Sequence, residues 1–312
     1  MTVDQLIAGL KDKRKIALSR AITIVENRSS GFTELLDFAY RSRKDSYRIG
    51  ITGPPGAGKS TLVSALAKSL AQGEEMAIVA VDPTSPFSGG ALLGDRIRMR
   101  ELAEIGNVFI RSMASRGSLG GLSLATENVL TILESYGMAR IIVETIGVGQ
   151  VEIDIAEACD TIILVLVPES GDGVQVMKAG LIEIADIILV NKADRDGADL
   201  LFRELNNAVQ LSQRNWQVPI IKTIATENKG VDEVLAAIDE HHKFLFATSS
   251  LEQKRKRRIR ITLDNLIEQE LRRQINEKIT EDNLDSVVDK IYQRLISPFK
   301  AVDNLLKRGS DG

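Results

Sequence analysis

Residues 50–62 of this 312-residue chain read GITGPPGAGKSTL, and no other stretch narrows the fold as far. Gly53-Pro54-Pro55-Gly56-Ala57-Gly58-Lys59-Ser60 fits G-x-x-x-x-G-K-[ST] in full. An apolar run, RIGIT, precedes it and a predicted helix follows, which is the context the pattern needs. The glycines let successive backbone N–H groups turn towards phosphate oxygens, and the helix N-terminus adds the positive end of its dipole. Lys59 is expected to reach the β- and γ-phosphates of a nucleotide, and Ser60 to ligate Mg2+.

A phosphate loop of this kind belongs to an α/β architecture, and the rest of the chain agrees. Short apolar runs recur after Tyr47: RIGIT, MAIVAVD, VFIR, RIIVE, TIILVLV, DIILVNK and VPIIK. Most are apolar almost throughout rather than alternating, as strands covered on both faces are. Amphipathic helical stretches separate them, so a mostly parallel central sheet flanked by helices is expected. Before Tyr47, residues 3–28 read as one helix on the spacing of Leu6, Leu10, Ala17, Ala21 and Val25, and a short second helix covers about 33–44. Beyond Ser249 a long charged helix carries Leu263, Leu266/Ile267, Leu271, Ile275 and Ile279 on one stripe, and another helix follows from about Asn283 to Leu295. The expected organisation is an N-terminal helical arm (1–46), a nucleotide-binding domain (47–247) and a C-terminal helical extension (248–312). The apolar stripe of the extension suits a subunit interface.

Composition removes several classes of function. The chain has one cysteine, Cys159, so no internal disulfide framework, and only two histidines, His241 and His242, too few for a histidine metal site. A net charge of −3 gives no general case for nucleic acid or an anionic membrane. The basic run KRKRRIR, Lys254 to Arg260, is interleaved with apolar residues and reads as a solvated helix face rather than a nucleic-acid site. No run reaches the roughly 18 apolar residues of a membrane span, and the N-terminus has no secretory apolar region; a cytoplasmic protein is expected.

The base is addressed by LVNKAD, which closes a later strand about 130 residues beyond the phosphate loop. Asn191-Lys192-Ala193-Asp194 matches N-K-x-D. The Asp194 carboxylate can accept from both N1–H and the 2-amino group of guanine, whereas adenine leaves a buried acid unpaired. Lys192 would lie along the base plane and Asn191 would tie its loop to the phosphate loop. In TIATENKGV the Ala225 amide would meet O6, with Thr226 and Glu227 lining the site. Acids for Mg2+ or the attacking water come from three places: Asp82 ends MAIVAVD, Asp95 lies in SGGALLGDRIRM, and Glu144 ends RIIVE. In IIVETIGVGQ, Val148 stands directly after Gly147, where a Ras-type switch has a water-orienting Gln; Gln150 comes two residues later. Slow hydrolysis by the isolated chain is the expectation.

These motifs, with FIRSMASRGSLGGLS, VETIGVGQVEIDIA and VLVPESGDGVQVMKAGLIEIADIILVNKAD, resemble the MeaB/ArgK family of GTPases associated with methylmalonyl-CoA mutase, over about residues 47–245. The resemblance implies a homodimeric GTPase that binds GTP, GDP and Mg2+. Its implied role is to chaperone a coenzyme B12-dependent acyl-CoA mutase, in some settings beside a cobalamin adenosyltransferase, by coupling GTP turnover to cofactor loading and to mutase protection or reactivation. It places Gly53 to Thr61 on phosphates. Ser60, Asp82, Asp95 and Glu144 fall around metal and water, with Lys59, Glu144 and Asp95 as the catalytic set, and Asn191, Lys192, Asp194 and Ala225 on guanine. It also implies switches near 82–98, 144–150 and 169–180, the last carrying Lys178. Arg111 and Arg116 flank a Gly/Ser-rich loop with no assigned role. A metallochaperone delivering nickel or zinc is disfavoured by two His and one Cys, and a kinase linked to amino-acid transport by the lack of any recognisable acceptor site.

Overall fold

A computed structural model of the chain describes all residues except 72, 84–101, 103–104, 116–123, 146–150, 169–179, 212–213, 279–280 and 308–312; it leaves aside the side chains of 82–83, 114–115, 151–153, 276, 278, 281–283 and 306–307 as well. Seven strands form one sheet: β1 (Tyr47–Thr52), β2 (Met76–Pro83), β3 (Val108–Ser115), β4 (Arg140–Thr145), β5 (Thr161–Leu166), β6 (Ile187–Asn191) and β7 (Ile220–Thr223). Their order is β3-β2-β4-β1-β5-β6-β7, and every pairing is parallel. The unbroken burial of β1, β5 and β6 explains why their sequences do not alternate.

Helices cover both faces. On one, α4 (Lys59–Leu70) and α9 (Val231–Ala247) bury Leu62, Leu66, Val234 and Ile238 against Ile49, Ile51 and Ile163. On the other, α1 (Val3–Lys11), α2 (Lys15–Asn27), α3 (Phe32–Ser42), α5 (Leu124–Tyr136) and α6 (Val151–Ala158) gather Leu6, Leu18, Ile22, Leu35, Val129 and Leu133 over Val79, Ile141 and Val143. A third cluster packs α7 (Leu181–Ile184) and α8 (Ala198–Gln210) on β5 and β6 through Leu181, Leu201 and Leu205. Each such fully buried aliphatic side chain contributes roughly 1.5–3 kcal/mol.

The N-terminal helix differs from the single helix expected over 3–28. It breaks at Lys13, whose φ of 58° is left-handed. Asp12 caps α1 with its amide on Ala8 and Leu10 carbonyls, and Arg14 N–H returns to Gly9 O at 2.9 Å. The periodicity survives the break because both segments turn their apolar face to the same core.

The remaining elements are α10 (Ser250–Lys278), α11 (Glu281–Tyr292) and α12 (Pro298–Lys307). The chain divides into two compact units, Met1–Arg258 and Ile259–Gly312. The first includes α1 to α3 and the opening turns of α10. There the basic run is not the solvated face expected from sequence. Lys254 Nζ donates to Asp160 O at 2.9 Å, Arg255 Nη2 to Ser46 O at 2.8 Å, and Arg258 Nη2 to Asp160 Oδ1 at 2.8 Å. Lys256, Arg257 and Arg260 do face solvent, with 75–77% exposed side chains. Arg258 lies four residues after Lys254 and three after Arg255, so the three share one face of α10, where they meet carboxylates and carbonyls at the strand starts. Among the described residues no helix is long and apolar enough to cross a membrane.

Candidate functional site

The carboxyl edge of a parallel sheet is where ligands bind in open α/β folds, and the sequence-predicted residues that the structure describes converge there. Gly53 follows β1 directly. Its φ is 139°, and a Cβ would stand 2.1 Å from Val165 O of β5, so only glycine fits. Gly58, with φ 90°, caps α4, and a Cβ there would meet Asn191 Nδ2 at 2.4 Å. Between them Pro54, Pro55, Gly56 and Ala57 turn the chain, closed by Ala57 N–H to Pro54 O at 3.2 Å. Lys59 is buried, and its Nζ donates to Gly53 O at 2.7 Å and Pro54 O at 2.9 Å. The ammonium is thereby held against the loop that it is expected to serve.

In the first turn of α4, Ser60 Oγ donates to Glu144 Oε1 at 2.6 Å. Glu144 is buried at the end of β4, opposite Ile51 of β1 and Ala80 of β2. The strand ends are tied by Thr145 Oγ1 to Thr52 Oγ1 at 3.2 Å. A serine hydroxyl and a carboxylate at this separation form a hard-oxygen donor set, which suits Mg2+. The backbone of Asp82 lies at the same edge, since β2 runs beside β4 and Val81 pairs with Thr145. Asp95, Val148, Gln150, Arg116 and Lys178 lie outside the described residues, as do most of the three switch segments. Arg111 pairs with Glu26 of α2 and belongs to the N-terminal packing.

Asn191 joins the two loops. It is 2% exposed, and all its side-chain capacity turns inward. Nδ2 donates to Ala57 O at 2.8 Å, while Oδ1 accepts from Thr223 Oγ1 at 3.1 Å and from Ala225 N–H at 3.2 Å. The Ala225 amide, expected from sequence to face O6 of guanine, is therefore directed at Asn191. Thr223 was not singled out in the sequence; its signal is a hydroxyl at a strand end three residues before the last Thr-Glu of the loop. Lys192 takes a left-handed φ of 55°, at about 1–2 kcal/mol for a side-chain-bearing residue. Such strain clusters at functional sites. Asp194 is exposed rather than buried, because its turn projects beyond the sheet edge. Discrimination by this acid depends on the base covering it. Ala225, Thr226 and Glu227 form a 3-10 turn closed by Ile224 N–H to Lys229 O at 3.0 Å, and Glu227 pairs with Lys229 at 2.6 Å.

The all-parallel fold, the phosphate loop and the buried asparagine clamp define a P-loop GTPase. The family model described as "Methylmalonyl Co-A mutase-associated GTPase MeaB" matches residues 18–280. A protein of Pyrococcus abyssi whose name designates it a GTPase is 44% identical over 311 residues, spanning 98% of this chain and 96% of its own. The mouse mitochondrial methylmalonic aciduria type A homolog is 32% identical, over 98% of this chain and 79% of its own. The crystal structure of a protein titled LAO/AO transport system kinase superposes with a TM-score of 0.74 at 27% identity, covering 98% and 97% of the two chains. The chain belongs to the MeaB family of methylmalonyl-CoA mutase-associated GTPases.

Proposed function

We propose that this GTPase is a chaperone and gatekeeper of a coenzyme B12-dependent acyl-CoA mutase of the methylmalonyl-CoA type, coupling guanine-nucleotide turnover to cofactor loading and mutase protection. The observation that carries the nucleotide part is the Asn191 side chain, bonded at once to the phosphate loop and to the Ala225 turn. The family description supports the client.

In this reading Gly53 to Thr61 bind the phosphates, and Lys59 moves from its loop carbonyls to the β- and γ-oxygens. Ser60 and Glu144 would hold Mg2+, with Asp82 and Asp95 as further acids of the site, and the ion would supply charge neutralisation to the transferred phosphoryl group. Glu144 also orients the attacking water. Asp194 and Lys192 take guanine, with Thr226 and Glu227 at its rim, while the Ala225 amide stays on Asn191 and fixes the turn beside the base. The chain acts in the cytoplasm as a homodimer, with an adenosyltransferase as a further partner at the mutase.

Val148 cannot orient water, so the isolated protein turns over GTP far more slowly than one per second. Its client accelerates hydrolysis by powers of ten, as ordering partners do in other GTPases. The test is capture of native partners on the protein loaded with a non-hydrolysable GTP analogue, then a phosphate-release assay with the recovered mutase. Turnover of several per second by the protein alone, or no change with the mutase, would end this reading.

A further inference from the structure

The left-handed turn at Lys13 sets this lysine beside a second one. Tyr136, the last residue of α5, donates its hydroxyl to Lys13 O at 2.5 Å and so fixes the turn; the Lys13 Nζ lies 4.7 Å from the centroid of the same ring. Lys44 arrives from another element. It follows α3, and its backbone N–H donates to Glu134 O at 3.2 Å. Both side chains end beside Gly137. A Cβ on that glycine would stand 2.5 Å from Lys13 Nζ and 3.7 Å from Lys44 Nζ, so the two nitrogens are no more than about 6 Å apart. Among the described residues neither ammonium forms an ion pair or donates a hydrogen bond. Two like charges this close disfavour each other, and loss of one proton relieves the pair. Partial burial, and then the Lys44 ammonium, hold Lys13 below the ordinary lysine range, with the Glu75 carboxylate opposing. The Tyr136 ring favours the charged form only weakly at an exposed site. Both lysines are exposed, so the amine is open to a reagent.

We infer that Lys13 is an acylation site for thioesters whose acyl group carries a free carboxylate, with Lys44 holding that carboxylate. A lysine amine beside another cation is an activated nucleophile. Attack needs the nitrogen about 3 Å from the thioester carbonyl carbon, and a carboxylate accepts from an ammonium at about 2.8 Å. Nitrogens about 6 Å apart therefore flank the two carboxyl carbons of a short dicarboxylic acid. The neutral Lys13 amine forms the N–C bond, the C–S bond breaks, and the thiolate leaves and takes up the proton that nitrogen releases. The step needs no oxidant or reductant. Its product is an amide ending in a carboxylate where an ammonium stood, a reversal of charge on the surface at the strand starts. The inference stands apart from the nucleotide site, which lies at the opposite ends of the strands.

Brief exposure of the full chain to acetyl-CoA or succinyl-CoA, followed by peptide mass spectrometry of each lysine, tests this. Lys11 and Lys15 of the same molecule serve as references for the intrinsic reactivity of each thioester. Lys13 should label faster than both. Relative to them, it should favour succinyl over acetyl about fivefold, the upper end of what one exposed ion pair contributes. Lys44→Met should remove that preference and slow both reactions at Lys13, whereas Lys44→Arg, which keeps the charge, should retain the preference. Lys44 is exposed, so both variants should fold, with GDP affinity within about twofold of wild type. A Lys13 labelled no faster than Lys11 and Lys15, equal relative labelling by the two thioesters in the wild type, or a preference kept by Lys44→Met or lost in Lys44→Arg would overturn the inference.

Discussion

His241 and Asn191 are buried polar side chains tied to opposite ends of the same part of the sheet. Asn191 closes β6, whereas His241 reaches the starts of β5 and β6. Its Nδ1 meets Thr161 Oγ1 at 2.7 Å, its Nε2 lies 3.4 Å from Asp186 Oδ1, and Thr161 also meets the Tyr47 hydroxyl. Burial pushes the imidazole down to about 4, with the Asp186 carboxylate opposing and Lys254 adding to the effect. The ordinary value of 6.5 applies to the unfolded chain, which therefore binds the extra proton between those limits. His241 thus contributes stability that is present above about pH 6.5 and lost as pH falls towards 4. From pH 7 to 4.5 the loss from this group is about 2–3 kcal/mol. Urea midpoints at the two pH values should fall further in the wild type than in His241→Gln; equal falls would show that another group carries the acid sensitivity. Nothing in the sequence pointed to this histidine, because its environment comes from residues 47, 161 and 186 and exists only after the sheet closes. The loop residues were legible for the opposite reason. Gly53 to Ser60 and Asn191 to Asp194 are contiguous motifs whose geometry is local, although the exposure of Asp194 was not, since it depends on how far the turn projects.

Among the elements, the opening turns of α10 show how a charged run can be misread. Asp160 has a fully buried side chain at the start of β5. Burial alone would raise its carboxyl, yet the Arg258 guanidinium, the Arg48 amide at 2.9 Å and Arg255 together hold it below the usual range. Breaking a buried pair leaves a charge without its partner, at roughly 3–5 kcal/mol. Arg258→Ala should therefore destabilise by about 3 kcal/mol, the low end, because Asp160 keeps the Arg48 amide. Arg257→Ala, on the solvent side at 77% exposure, should change stability by less than about 0.5 kcal/mol. Chemical denaturation of both variants decides; equal effects would mean that α10 has no such anchor. The strands were all visible in the sequence, β1, β5 and β6 because double-sided burial writes continuous apolar runs, and the half-buried β7 through the short run VPIIK. The helix ends were less so: the break at Lys13 rests on one left-handed residue, and the anchoring face of α10 on carboxylates about a hundred residues away.

At the scale of the whole molecule, hydrophobic exposure is distributed unevenly. Twelve of the eighteen large hydrophobic side chains that are exposed among the described residues fall within Ile259–Gly312, the smaller unit. On α10 they are Leu263, Leu266, Ile267, Leu271 and Ile275; α11 adds Leu284, Val288 and Tyr292. Scattered apolar residues on a surface need no explanation, but a concentration of this kind marks a contact face. The polar side of α10 is laced by its own pairs, Arg260 with Asp264, Arg272 with Glu268, and Arg273 with Glu270 and Glu277. Charge is thus satisfied within the helix, and the apolar stripe is left for a neighbour. The occupant we propose is the same unit of a second copy, since symmetric self-association covers equivalent stripes with one another. Replacing Leu266 and Leu271 together by Lys would place four ammonium groups in such an interface, each at several kcal/mol of desolvation. Light scattering should then report twice 34.2 kDa for the wild type and 34.2 kDa for the double variant, with helicity by circular dichroism unchanged. A wild type that runs as a single chain, or a double variant that keeps the dimer mass, would refute the assignment of this face.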